Sequence, residues 1–268
     1  MDATRHLTDD EGNPVRLPPA VRRVVSLVPS LTEAVAVTAP GLLVGATDWC
    51  THPAGLDAVR IGGTKNPAVE AVCSLAPDLV LANEEENRAP DLAALRAAGL
   101  PVWTTRIRDL DQALDSLHRL IVEVIQLPCP DWLVASRRAW SSLPPTPAVR
   151  AIAPIWRRPW MVLGRDTFAA DLLRRLGVTL LPADHPDRYP RLTLPELHAL
   201  DAELLLLPDE PYRFTATDGP EAFPALPHAL LSGRHLTWYG PSLAEAPAVL
   251  GAGLAGPVGR AVSRRSAG

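Results

Sequence analysis

The sequence predicts an α/β protein built as two doubly wound lobes joined by a long helical linker. Three observations carry this expectation. Short apolar, strand-like runs alternate with helix-like segments through both halves of the chain. The order helix, acidic corner, apolar strand, acidic loop at residues 62–87 returns at residues 194–209. Between the halves, the apolar residues follow a three-and-four spacing over a long stretch, which belongs to helix and not to strand. The expected division is an N-terminal lobe over residues 1–108, a helical linker over 109–147 and a C-terminal lobe over 148–268.

Taken in order, residues 8–17 read as a small hairpin with Gly12 and Asn13 at its turn. The β-branched run 23–28 predicts a strand, and Ser30 with Glu33 three residues on has the spacing of a capping box for the helix that follows. Residues 42–46 predict a second strand, which runs out into the loop Thr47-Asp48-Trp49-Cys50-Thr51-His52-Pro53. The stretch 62–87 supplies a glycine turn, a helix 67–76 with Pro67 in its first turn, a Pro77-Asp78 corner, a buried strand 79–82 and an acidic loop 84–87. A helix 91–98 closed by Gly99 and a strand 101–105 complete the lobe.

In the linker, Leu110, Ala113, Leu114, Leu117, Leu120, Ile121 and Val124 lie on one helical face. Leu127-Pro128-Cys129-Pro130 interrupts it, Asp131 can cap a second piece, and the prolines of 144–147 end it. The second lobe should then follow as strand 150–155, a loop 156–160, helix 166–176 closed by Gly177, strand 178–181, the repeat at 194–209, a final strand 235–238 and a helix 243–250. Two such lobes imply a cleft suited to a bulky ligand, read by loops at the carboxyl ends of the strands.

Composition excludes several classes. With 47% hydrophobic and 21% charged residues the chain is an ordinary globular one, and a net charge of -4 argues against a nucleic-acid-coating surface. The basic residues from Arg260 to Arg265 read as a solvated terminus. Three cysteines without CxxC spacing indicate neither a disulfide framework nor a zinc ribbon. No stretch has the length of a bilayer span and no apolar leader opens the chain, so the sequence as written points to the cytoplasm, and to the periplasm or cell surface if an export signal is missing from it. Gly251-Ala252-Gly253-Leu254-Ala255-Gly256 matches GxGxxG but follows a helix and precedes no βαβ unit; no GxSxG, GxxxxGK[ST] or HExxH motif occurs, so the protein is not expected to be an enzyme.

Four stretches together carry a family resemblance: VVSLVPSLTEAV from Val24, VGATDWCTHP from Val44, VEAVCSLAPDLVLA from Val69 and HLTWYGPSLAEA from His235. In this order the chain resembles the helical-backbone, class III periplasmic-binding-protein-like receptors of iron-siderophore, haem and vitamin B12 transport. Asp48-Trp49 and the segment from Gly62 to Glu70 are most similar to the cobalamin-binding branch and its cytoplasmic-looking relatives. The resemblance implies a binding protein for a metal chelate, a corrinoid first, held between the lobes, with no intrinsic cofactor. It also implies an ABC transporter permease as partner, docked through a glutamate of each lobe. Glu70 matches the first; at the second position stands Pro195, with Glu196 one residue on and about 100° around a helix, which weighs against docking.

Flat, rigid rings with an N–H handle suit a corrin, haem or aromatic chelate, and Trp49, Trp156, Trp160 and Trp238 with Tyr239 sit where loops are expected to leave strands. Packing within the lobes would use the same rings. Arg157 and Arg158 could fork onto oxyanions at a ligand's rim; Lys65, Glu85 and Asn87 add polar groups from the organising stretch. Cys50 and His52 could place a thiolate and an imidazole near one metal, with His52 the candidate ligand. The alternatives to corrinoid binding are an iron-siderophore or haem receptor, a cytosolic enzyme or chaperone of corrinoid metabolism, and a direct metal-ion binder using Cys50, His52 and the acidic loop.

Overall fold

The computed structural model describes residues 4–144, 146 and 148–267, with side chains to residue 263. The chain forms two compact units: Met1–Ile107, Gln112–Val134 and Tyr239–Pro241 in unit 1, and Arg108–Asp111, Ala135–Trp238 and Ser242–Gly268 in unit 2.

Unit 1 opens with the hairpin β1 (Arg5–Thr8) and β2 (Pro14–Leu17). The buried Asp9 carboxylate closes its turn, accepting from the Asn13 amide N–H at 2.8 Å, and ties it down by accepting from Thr104 N–H at 3.2 Å. The central sheet contains β3 (Val24–Ser26), β4 (Leu43–Ala46) and β5 (Val59–Arg60). Helix α1 (Pro29–Thr38) joins β3 to β4. A two-residue ladder, β6 (Gly62–Gly63) with β7 (Asn66–Pro67), precedes α2 (Val69–Ser74), β8 (Leu79–Asn83), α3 (Ala89–Ala97) and β9 (Val102–Thr105). The strands pair in parallel in the order β5-β4-β3-β8-β9. Val25, Leu27, Val80, Ala82 and Val102 pack with Leu92 and Leu95 of α3, which is why these strands read as unbroken apolar runs.

Two expectations for this unit need correction. The Ser30–Glu33 capping box does not form: Pro29 takes the first helical position and Val28 the cap, so Ser30 lies one residue inside the helix with its hydroxyl buried and facing Tyr239. Pro67 does not open a helix either. Gly62, at φ +86°, turns the chain so that Pro67 pairs back onto it, and α2 starts only at Val69.

The expected helical segment is present as α4 (Leu110–His118), a π-helical stretch Arg119–Val124, and α5 (Asp131–Ser141). Arg5 of unit 1 donates to the carbonyls of Glu123 and Val124 at 2.9 and 2.8 Å, satisfying acceptors that the end of the helix leaves bare. Pro145 and Pro147, part of the predicted stop, lie outside the described residues.

Unit 2 has β10 (Val149–Ile152), β11 (Pro154–Trp156) and β12 (Met161–Val162), then α6 (Phe168–Arg175) and β13 (Val178–Leu180). Helix α7 (Leu194–His198) leads to β14 (Leu204–Pro208) and β15 (His228–Leu231); α8 (Gly233–Thr237) and α9 (Ala246–Ala267) close the chain. The parallel sheet runs β13-β10-β14-β15. The expected final strand at 235–238 is in fact helix α8. The β-branched and aromatic look of His235-Leu236-Thr237-Trp238 suggests a strand, but Gly233 starts a helical turn there and the sheet's last strand is the preceding run His228–Leu231. The GxGxxG match lies inside α9 and not in a strand-to-helix turn.

Candidate functional site

In a doubly wound sheet, the loops at the carboxyl ends of the two strands that lead in opposite directions flank a natural crevice. In unit 1 those strands are β3 and β8, and in unit 2 they are β10 and β14. Of the residues singled out in the sequence, Glu85 and Asn87 follow β8, whereas Trp49, Cys50 and His52 follow β4.

In unit 1, the loop after β8 carries Glu84, Glu85, Glu86 and Asn87. Asn87 is buried and its amide is fully engaged: Oδ1 accepts from Asn83 N–H at 2.8 Å, while Nδ2 donates to the carbonyls of Thr64 at 3.0 Å and Leu27 at 3.3 Å. It therefore fastens the loop after β8 to the end of β3 and to the turn before β7. Asn87→Ala should destabilise the protein by about 2 kcal/mol, the scale of leaving buried donors and acceptors unmade; urea unfolding checks it, and a loss under half of that would show the loop to be held by other means.

Lys65, the only lysine in the chain, donates to the Glu85 carbonyl. Glu86, partly buried, accepts from the buried Tyr239 hydroxyl at 3.0 Å. Burial pushes the Glu86 carboxyl up to about 7, against the opposing pull of Tyr239 and Lys65. Tyr239 is held well above its usual range by burial and by Glu86. The strap Tyr239–Pro241 that brings this hydroxyl in runs close against α1: a side chain on Gly240 would come within 3.0 Å of the Ser30 carbonyl.

Trp49, in the loop after β4, is 68% exposed; its indole nitrogen lies 3.7 Å from where a Cβ on Gly63 would stand, so the ring is propped on the glycine turn with much of its surface bare. Cys50 points the other way. Its sulfur is fully buried, 3.0 Å from the Thr32 hydroxyl and 3.2 Å from that of Thr47, and burial pushes the thiol up. A protonated thiol facing α1 is a poor metal ligand. His52 lies at the surface with Nδ1 3.1 Å from the Thr51 hydroxyl. Among the described residues no three His, Cys, Asp or Glu side chains gather as a metal-ion site.

In unit 2, the loops after β10 and β14 build an aromatic cluster. Trp160 stacks on Phe214 at 6.2 Å and meets Phe223 edge-on at 5.5 Å, so it belongs to the unit's core. Trp156 is 45% exposed and touches Tyr212 edge-on at 5.7 Å. Arg157, over the Trp160 ring, pairs with Asp218 and Glu221; Asp218 also accepts from the Tyr212 hydroxyl at 2.7 Å. Arg158 is exposed, at φ +73°. Trp238 is buried, with its N–H on Glu210 at 3.2 Å. Of the four proposed tryptophan platforms, then, Trp49 and Trp156 present open rings, whereas Trp160 and Trp238 are packed. Tyr212 escaped the sequence reading, and Glu86 entered it only as one of the three glutamates of the acidic loop. Glu86 sits in a run of three glutamates that looks solvated throughout, and nothing local marks its partner 153 residues away.

Glu70 is exposed in the first turn of α2. Glu196 is at the surface but closes a true capping box, accepting from the Thr193 N–H and hydroxyl at 2.7 Å each.

The fold is that of the class III periplasmic binding proteins, a mixed α/β architecture with parallel sheets. The periplasmic vitamin B12 binding protein of Vibrio cholerae superposes with a TM-score of 0.72 at 19% identity, covering 89% of this chain and 98% of that one. A periplasmic haem-binding protein crystallised with two haems gives 0.72 at 24% identity over 88% of this chain and 98% of that one. In sequence, the Vitamin B12-binding protein of Vibrio cholerae is 24% identical over 185 residues, 65% of this chain and 66% of that protein. The match thus spans just under two thirds of that relative. An uncharacterised ABC transporter substrate-binding lipoprotein of Bacillus subtilis is 38% identical over 100 residues, 36% of this chain and 32% of that protein. No family model matches the chain. These relatives are binding proteins and not enzymes, and among the described residues no helix is long and apolar enough to cross a membrane.

Proposed function

We propose that this protein binds a metal chelate, a corrinoid, and delivers it unchanged to a transport partner. The observation that carries the reading is the open indole of Trp49, propped on the glycine turn whose Thr64 and Lys65 bond the acidic loop after β8, on a fold whose sequence relative is a Vitamin B12-binding protein. Bare aromatic faces with hydrogen-bonding groups around them suit a macrocycle with polar side chains. In unit 2, Trp156 at the end of β11 also presents an open ring. The partner is an ABC transporter permease, supported by the lipoprotein relative and by the exposed Glu70; Glu196, tied into its cap, contributes less. Periplasmic and lipoprotein relatives favour an exported protein over a cytoplasmic one.

Titration with cyanocobalamin, aquocobalamin, hemin and a ferric siderophore, followed by tryptophan fluorescence, tests this. Saturable quenching by the cobalamins is expected, and quenching by hemin or the siderophore alone would replace the corrinoid with that chelate. Trp49→Ala should weaken cobalamin binding by more than about 1 kcal/mol without affecting folding. Unchanged affinity would remove Trp49 from the site.

A further inference from the structure

Resting on the corrinoid reading, we propose that Glu86 is the specificity-determining residue of unit 1, selecting chelates whose side chains are amides over those whose side chains are carboxylates. Tyr239 holds one oxygen of Glu86 at 3.0 Å, fixing the plane of the carboxyl, and among the described residues the second oxygen has no hydrogen-bond partner. The backbone N–H of Glu86 is anchored on Asn83 Oδ1 at 3.3 Å, so the group is positioned from both ends. Lys65, the ammonium that acts on Glu86, donates to the Glu85 carbonyl of the same loop.

Proton chemistry then makes the choice. A primary amide has both an N–H donor and a carbonyl acceptor, so it pairs with Glu86 whether that group is ionised or protonated. A ligand carboxylate is acceptor-only and pairs with the protonated form alone. The groups facing Glu86 are Tyr239 from the strap, Lys65 from the turn before β7 and Glu85 from its own loop, while the Ser30 hydroxyl faces Tyr239 and the Glu33 carboxyl lies beside Gly240, both from α1. Burial outweighs Lys65 and Tyr239 and places the change of state near pH 7.

The test compares cobinamide, whose corrin side chains end in amides, with cobyrinic acid, whose side chains end in carboxylates, at pH 6 and pH 8. For the native protein, cobinamide affinity should be equal at the two pH values, while cobyrinic acid should bind about tenfold more weakly at pH 8, following the protonated fraction of a group near 7. Glu86→Gln, an amide that keeps a donor at every pH, should bring the pH 6 to pH 8 ratio for cobyrinic acid to about one. Tyr239→Phe, which frees the carboxyl to reorient, should reduce the discrimination while circular dichroism shows the fold retained. Equal pH profiles for both corrinoids would overturn the role of Glu86 and leave the corrinoid reading standing. Binding of neither corrinoid at either pH would overturn both.

Discussion

The Glu86→Gln protein should be more stable than the native chain by about 2 to 3 kcal/mol at pH 8 and should show no such advantage at pH 4. A carboxyl held at about 7 in the fold against 4.5 when exposed keeps its proton while the unfolded chain has already released it. Between those two values the native state binds more protons, so its stability falls as pH rises from 4.5 to 7 and is level above that. Two and a half units correspond to about 3 kcal/mol, and the partial exposure of the carboxyl trims that figure. Glutamine copies the neutral form and keeps an acceptor for the Tyr239 hydroxyl, so it removes the slope. Urea unfolding of both proteins across this range gives the difference directly; parallel curves would mean that Glu86 is ionised at no cost in the native state.

The partner of such a residue is what the sequence could not disclose. The strands and helices were legible because buried parallel strands are unbroken apolar runs and because Gly99 and Gly177 punctuate the helices that precede β9 and β13. The repeat at 194–209 was legible for the same reason. Where the reading went astray, a local signal competed with a stronger one. Ser30 had the spacing of a cap, but Pro29 fits the first helical position better. His235-Leu236-Thr237-Trp238 had strand propensity, but tertiary context at Gly233 made it helix. For the candidate site, residue type carries no information on which way a side chain points. Trp49 and Cys50 are neighbours, yet one faces solvent and the other the Thr32 hydroxyl. The Glu86–Tyr239 bond depends on a three-residue strap that joins unit 1 from late in the chain, a long-range event with no local signature.

Gly233→Ala should destabilise the protein by about 2 kcal/mol, although alanine is the better helix former. At the first position of α8, a Cβ would lie 2.6 Å from both the backbone nitrogen and the Cβ of Glu210, and 2.9 Å from its Cα. Backbone cannot swing aside as a side-chain tip can, so the loop after β14 must shift, a strain of about 3 kcal/mol that helix propensity offsets by about 1. The Gly233 N–H also bonds Asp209 Oδ1 at 2.6 Å, so the displaced stretch is the one that carries both acidic residues. The displacement passes to Trp238, whose indole N–H rests on Glu210 at 3.2 Å. A change in tryptophan emission should therefore accompany the loss of stability. Gly251→Ala is the contrast, because that glycine lies inside α9 with nothing within 4 Å of the new methyl group, and it should stabilise by up to about 1 kcal/mol. The two substitutions are chemically identical, so a shared gain would mean that the contact between α8 and the loop after β14 is loose, and with it the positioning of Trp238.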